Sequence, residues 1–150
     1  MSEICHLSQA PIVEALVNFQ ANAARMWKPQ EVRLALTACW PSHDDIQEIH
    51  PVQIEVTQTL QGQLPPKVTS EMQGFIFRST SQPSVHQARR DGYTFSRLKP
   101  YEDWSALEAG ALAGWVNYQA VLEPEELHTV AVRFINRVTF PLEGFKLARY

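Results

Sequence analysis

The 150 residues carry 13 lysines and arginines against 16 aspartates and glutamates, a formal net charge of −3. A general nucleic-acid binder shows a strong basic excess, so this balance argues against that class and leaves room only for a local basic patch. The 45% hydrophobic and 19% charged fractions fit a single globular domain over residues 1–150. A chain of this length buries roughly 70% of its unfolded surface. No run approaches the ~18 consecutive apolar residues of a membrane helix, and no charged-then-apolar leader opens the chain, so the expected location is the cytoplasm.

Pro11 to Phe19 is rich in isoleucine, valine and phenylalanine, with Glu14 and Asn18 interspersed, and predicts a strand buried mainly on one side. Pro29 suits the first turn of a helix, and Val32, Ala35, Leu36 and Cys39 then form one apolar stripe that Pro41 ends. Ser42 to Pro51 reads as a polar loop. From Val52 to Leu60 the pattern changes to period two and predicts a half-exposed strand, followed by a loop over Gln61 to Met72.

Gly74 to Thr80 predicts the next strand, with Phe75 and Phe77 on one side and Ile76 and Arg78 on the other. Asp91-Gly92 is a two-residue hairpin signal joining Val85–Arg90 to Tyr93–Leu98. Such a loop sets Arg90 opposite Tyr93, Ala88 opposite Phe95 and His86 opposite Arg97, and asks for positive φ at both Asp91 and Gly92. Pro100 stops the second arm. A helix follows, opened by a capping box at Ser105–Glu108 or by the residues just before it. Trp104, Leu107, Ala111, Trp115, Tyr118 and Leu122 recur on it at steps of three and four, and Gly110 and Gly114 predict close approach to a neighbouring backbone. Pro124 to Leu127 reads as a short helical turn and Thr129 to Phe140 as a last strand, with Asn136 on its core side. The expected fold is α+β in the order β-α-β-β-β-β-α-β. Five to six strands form an antiparallel or mixed sheet with two helices on one face.

Four segments, in this order along the chain, resemble a known family: Ala10-Pro-Ile-Val-Glu-Ala15, Arg90-Asp-Gly-Tyr-Thr-Phe-Ser-Arg-Leu98, Pro100-Tyr-Glu-Asp-Trp104 and Arg133-Phe-Ile-Asn-Arg137. The family is a sporadically distributed group of prokaryotic proteins with no assigned activity. Its members usually continue for a second segment after the Ile-Asn-Arg strand, so the resemblance implies a short member or an N-terminal portion. It supplies no catalytic residue.

Catalytic constellations are missing from the residues themselves. With six glycines there is no phosphate-cradling loop, no Gly-x-Gly-x-x-Gly and no nucleophile elbow, and no cofactor is implied. Cys5-His6 are adjacent and point apart in an extended chain, so they make a poor nucleophile pair. His43, Asp44, Asp45 and His50 lack metal-ligand spacing and read as solvated loop residues. What remains is a helix-free sheet face expected to carry Arg78, Arg89, Arg133 and Arg137 with Ile76 and Ile135, and Trp27 between strand and helix as an aromatic contact. The leading expectation is a non-enzymatic module that uses this face to bind a second copy or another protein. The alternative is a phosphate-bearing ligand or nucleic acid held by the arginines.

Overall fold

The structure, a computed structural model, describes residues 10–24, 26–56, 58–59, 62–63, 65 and 67–140. The Cys5-His6 pair lies outside them. Strand β1 (Ile12–Ala23) alternates as expected, with Ala15, Val17, Phe19 and Ala21 buried. It runs four residues beyond the expected end because both its edges are paired. The Ala21 and Ala23 N–H groups donate to the carbonyls of Asp91 (3.1 Å) and Arg90 (3.0 Å). Helix α1 (Pro29–Cys39) begins at the proline and buries Val32 and Leu36.

The polar stretch read as a loop contains strand β2 (Asp45–Ile49), which pairs antiparallel with β7 (Gly74–Arg78). It is an edge strand, where solvent accepts polar side chains, so the hydrophobic signal is absent while the ladder is present. The segment expected to enter the sheet from Val52 instead folds on itself. Strand β3 (Val52–Glu55) pairs with β6 (Lys67–Ser70), and β4 (Gln58–Thr59) with β5 (Gly62–Gln63), in two separate two-stranded ladders. Period-two alternation reports extended backbone; it does not report which partner the strand will find. The expected loop over 61–72 therefore holds the returning strands of this arm.

Strands β8 (Ser84–Arg89) and β9 (Gly92–Leu98) form the hairpin, and the register differs from the expected one. Arg89 faces Gly92, Ala88 faces Tyr93, and His86 faces Phe95, so Arg90 and Asp91 are the loop residues. Gly92 has the positive φ, at 154°, while Asp91 does not. The glycine is required because β1 passes close by. A Cβ at Gly92 would overlap the Phe19 carbonyl oxygen. Gly92→Val is accordingly expected to cost about 2 kcal/mol through strain and overlap. A urea midpoint unchanged from wild type would refute this contact.

Helix α2 (Trp104–Leu122) starts one residue after Asp103, whose carboxylate accepts from the Ala106 N–H at 2.8 Å. The cap is thus the family-like Asp103 and the Ser105 box is not used. Leu107, Ala111, Gly114, Trp115, Tyr118 and Leu122 face the sheet, but Trp104 does not: it is 45% exposed. Gly110 and Gly114 admit aromatic side chains rather than a backbone, since a Cβ at either would overlap Phe95 or Tyr93. The expected helical turn at Pro124 is instead the start of strand β10 (Pro124–Asn136), reached through Glu123 in the left-handed conformation.

The fold is α+β in the order anticipated. Six antiparallel strands lie in the order β10-β1-β9-β8-β7-β2, and both helices contribute to one core on one face. No helix among the described residues is long and apolar enough to cross a membrane.

Candidate functional site

Cross-strand pairing places the expected arginines. Arg133 lies opposite Leu16, Leu16 opposite Ser96, Ser96 opposite Val85, and Val85 opposite Arg78, so Arg78 and Arg133 do share the face away from the helices. Four strand spacings separate them, roughly 19 Å, which is too far for two guanidinium groups to grip one phosphate. Arg89 is on the same face at the far end of β8, and its Nε sits 3.1 Å from an Asp91 carboxylate oxygen. Arg137 lies one residue past β10, with its N–H on the Pro11 carbonyl at 2.8 Å. The middle of this face is not bare. Val85, Thr94 and Ser96 are buried there, and Asn18 donates to the Thr94 hydroxyl at 2.7 Å. Leu16, Ile76, Gln87 and Leu98 around them are half-buried, and the arginines are dispersed over this face and do not form a cluster.

Trp27 packs its ring on Phe75 with centroids 6.2 Å apart. It also lines a cavity of about 430 Å³ with Asn22, Ala23, Met26, Arg90 and Asp91. Chemically this is an open hollow whose described lining has one ion of each sign and no convergent set of polar groups.

A concentration of exposed apolar surface lies elsewhere, on the helix side of the sheet edge. Val130, Val132 and Phe134 lie opposite Phe19, Val17 and Ala15, which are all buried beneath α2. Yet these three β10 side chains are 51%, 44% and 43% exposed, because α2 covers β1 and β9 and stops short of the edge strand. A groove of about 110 Å³ runs between them, walled by Val17, Phe19, Ala111, Val130 and Val132 and by Trp104, Glu108 and Leu112 along the helix. Val116 continues the helical row and is exposed; Tyr101 meets Phe134 edge-on at 5.8 Å. Asn136, expected on a buried core side, is exposed at the end of β10. The core-side pattern of β10 was legible in the sequence, but whether a second layer would reach it was not.

A buried polar cluster is also present. His86 shares a hydrogen bond of 2.7 Å with the Tyr93 hydroxyl, stacks on Trp40 at 4.3 Å and meets His43 edge-on at 4.4 Å. His43 Nε2 is 3.0 Å from the Ser84 hydroxyl. Burial pushes the His86 imidazole down to about 3, with His43 adding to the shift, and burial lowers His43 against the opposing charge of Asp44. His43 thus turns away from Asp45 and His50, and His50 pairs with Glu48 at 2.8 Å. Among the described residues no three histidine, cysteine or acidic side chains are placed to hold a metal ion. Both imidazoles of the cluster are buried in the core.

No family model, curated protein or solved structure matches the chain. The chemistry of its surface therefore carries the functional reading.

Proposed function

We propose that this chain is a non-enzymatic protein-interaction module of the cytoplasm whose docking surface is the apolar strip between α2 and β10. One observation carries the reading: a row of valines and a phenylalanine in core-type alternation stands exposed at the sheet edge, and no element among the described residues covers it. Exposed patches of this kind mark binding surfaces on folded chains. The sheet face away from the helices supports it less well, since its centre is buried and its arginines are dispersed. The wide spacing of those arginines likewise weakens the phosphate-ligand alternative. The arm adds a second apolar surface, with Val52, Ile54 and Val68 exposed on one side of its ladder. Membership of the sporadically distributed family is part of the proposal. Its motif residues have visible structural work here: Asp91-Gly92 at the hairpin, Asp103 at the helix cap, Arg133 to Asn136 on the edge strand.

The test is site-specific photo-crosslinking in cells, with benzoylphenylalanine at Leu112 or at Arg78. Position 112 is expected to yield protein adducts and position 78 few. Absence of protein adducts at 112, or nucleic-acid adducts at 78, would overturn the reading.

A further inference from the structure

The two edges of the sheet are built differently. At one end β2 is five residues long, carries Asp45 and Glu48, and is followed closely by Pro51. Short length, charge and proline are the usual devices that keep an edge from pairing with another chain. At the other end β10 has 13 residues. Its pairing with β1 shifts register near both ends, but from Thr129 to Ile135 it is regular. That stretch contains no proline, no lysine and one charge, Arg133. Among the described residues no strand pairs with its outer backbone edge, and the apolar groove lies directly beside it.

We propose that a second copy of this chain pairs antiparallel with β10 about a two-fold axis at Val132, joining two six-stranded sheets into one. The inference rests on the proposed docking surface and names its occupant. An axis normal to the sheet keeps the helix sides of both copies together, so residues that meet must come from the same side. Centring on Val132 uses the whole regular stretch. Val132 meets the partner's Val132, Val130 meets the partner's Phe134, and Thr129 meets the partner's Ile135. All exposed apolar side chains of the strip thereby face apolar side chains, and Trp104 and Leu112 of both copies wall the joined groove. Moving the axis to Arg133 would set like charges opposite each other, which disfavours that register.

Charge along the strand favours self-pairing. β10 is acidic at its start, with Glu125 and Glu126, and basic toward its end, with Arg133 and then Arg137. Antiparallel pairing brings opposite ends together. The extra residue between Leu127 and Thr129, relative to β1, carries Glu126 beside the partner's Arg137. A strand that is complementary to its own reverse needs no other partner to satisfy it.

Light scattering at tens of micromolar protein is expected to give twice the 17.1 kDa chain mass. Val132→Cys is expected to cross-link into dimers on mild oxidation, since opposed residues in an antiparallel pair are about 4.5–5.5 Å apart at Cα, within disulfide range. Val130→Cys is expected not to, because its two copies are offset by four residues, roughly 13 Å along the strand. Wild type treated in parallel accounts for Cys5 and Cys39. Arg137→Glu is expected to weaken the dimer roughly three- to tenfold, with Glu126→Arg in the same chain restoring it. A monomeric wild type, or a dimer in which Val132→Cys fails to cross-link, overturns this pairing. If position 112 still photo-crosslinks to another protein, the interaction reading survives and only the choice of occupant falls.

Discussion

Replacing Trp115 by alanine is expected to destabilise the fold by about 3–5 kcal/mol. The indole is buried at the centre of the helix-on-sheet contact. It stacks on Phe19 of β1 at 4.9 Å with ring planes 8° apart, and on Tyr118 of its own helix at 5.3 Å. Truncation leaves a cavity bordered by rigid aromatic rings and sheet backbone, which cannot collapse to fill it. Phe19 also loses its stacking partner, beyond the area removed from water. For a domain of this size the loss corresponds to a fall of roughly 10 °C or more in melting temperature. Urea titration should show a lower midpoint at unchanged slope. A shift of less than 3 °C would mean that α2 does not anchor the sheet as described.

The second large effect is on pH dependence. His86 is held neutral in the folded state, its pKa lowered to about 3 by burial first and by His43 second. In the unfolded chain it titrates near its ordinary value of 6.5. The unfolded state therefore binds the proton more readily, and stability falls as pH drops below about 6.5, levelling only near the folded value. The loss amounts to about 2 kcal/mol at pH 5 and about 3 kcal/mol at pH 4, with His43 acting in the same direction. Tyr93, pushed up by its own burial, stays neutral throughout and offers no countercharge. Denaturation midpoints measured from pH 8 to pH 4 should trace this curve, and His86→Gln, which keeps a partner for the Tyr93 hydroxyl, should flatten it. A wild-type profile that is level from pH 7 to pH 5 would refute the buried neutral pair.

Local pattern determined much of this protein by itself. Proline punctuation and the stripe of Val32 and Leu36 placed α1, and the three-and-four spacing of Leu107, Ala111, Trp115, Tyr118 and Leu122 placed the buried face of α2. Period-two burial placed β1, β7 and the hairpin arms, and the positive φ of Gly92 was legible, although the same reading extended it to Asp91, which does not have it. These features are short-range: they follow from backbone sterics and from which side chains must leave water. Partner choice was decided only in three dimensions. The segment from Val52 reads as a sheet strand and pairs with Lys67–Ser70 instead, while polar Asp45–Ile49 takes the sheet edge. Arg90 and Asp91, rather than Asp91 and Gly92, close the hairpin because β1 hydrogen-bonds to their carbonyls. The same holds for the candidate site. Alternation marks Val130, Val132 and Phe134 as core-type residues, but α2 ends its coverage one strand short of them, and Trp104, apolar and on the helix, faces the resulting groove. Hydrophobic pattern records what a side chain would avoid, whereas exposure depends on which element packs above it, and that is a property of the whole sheet.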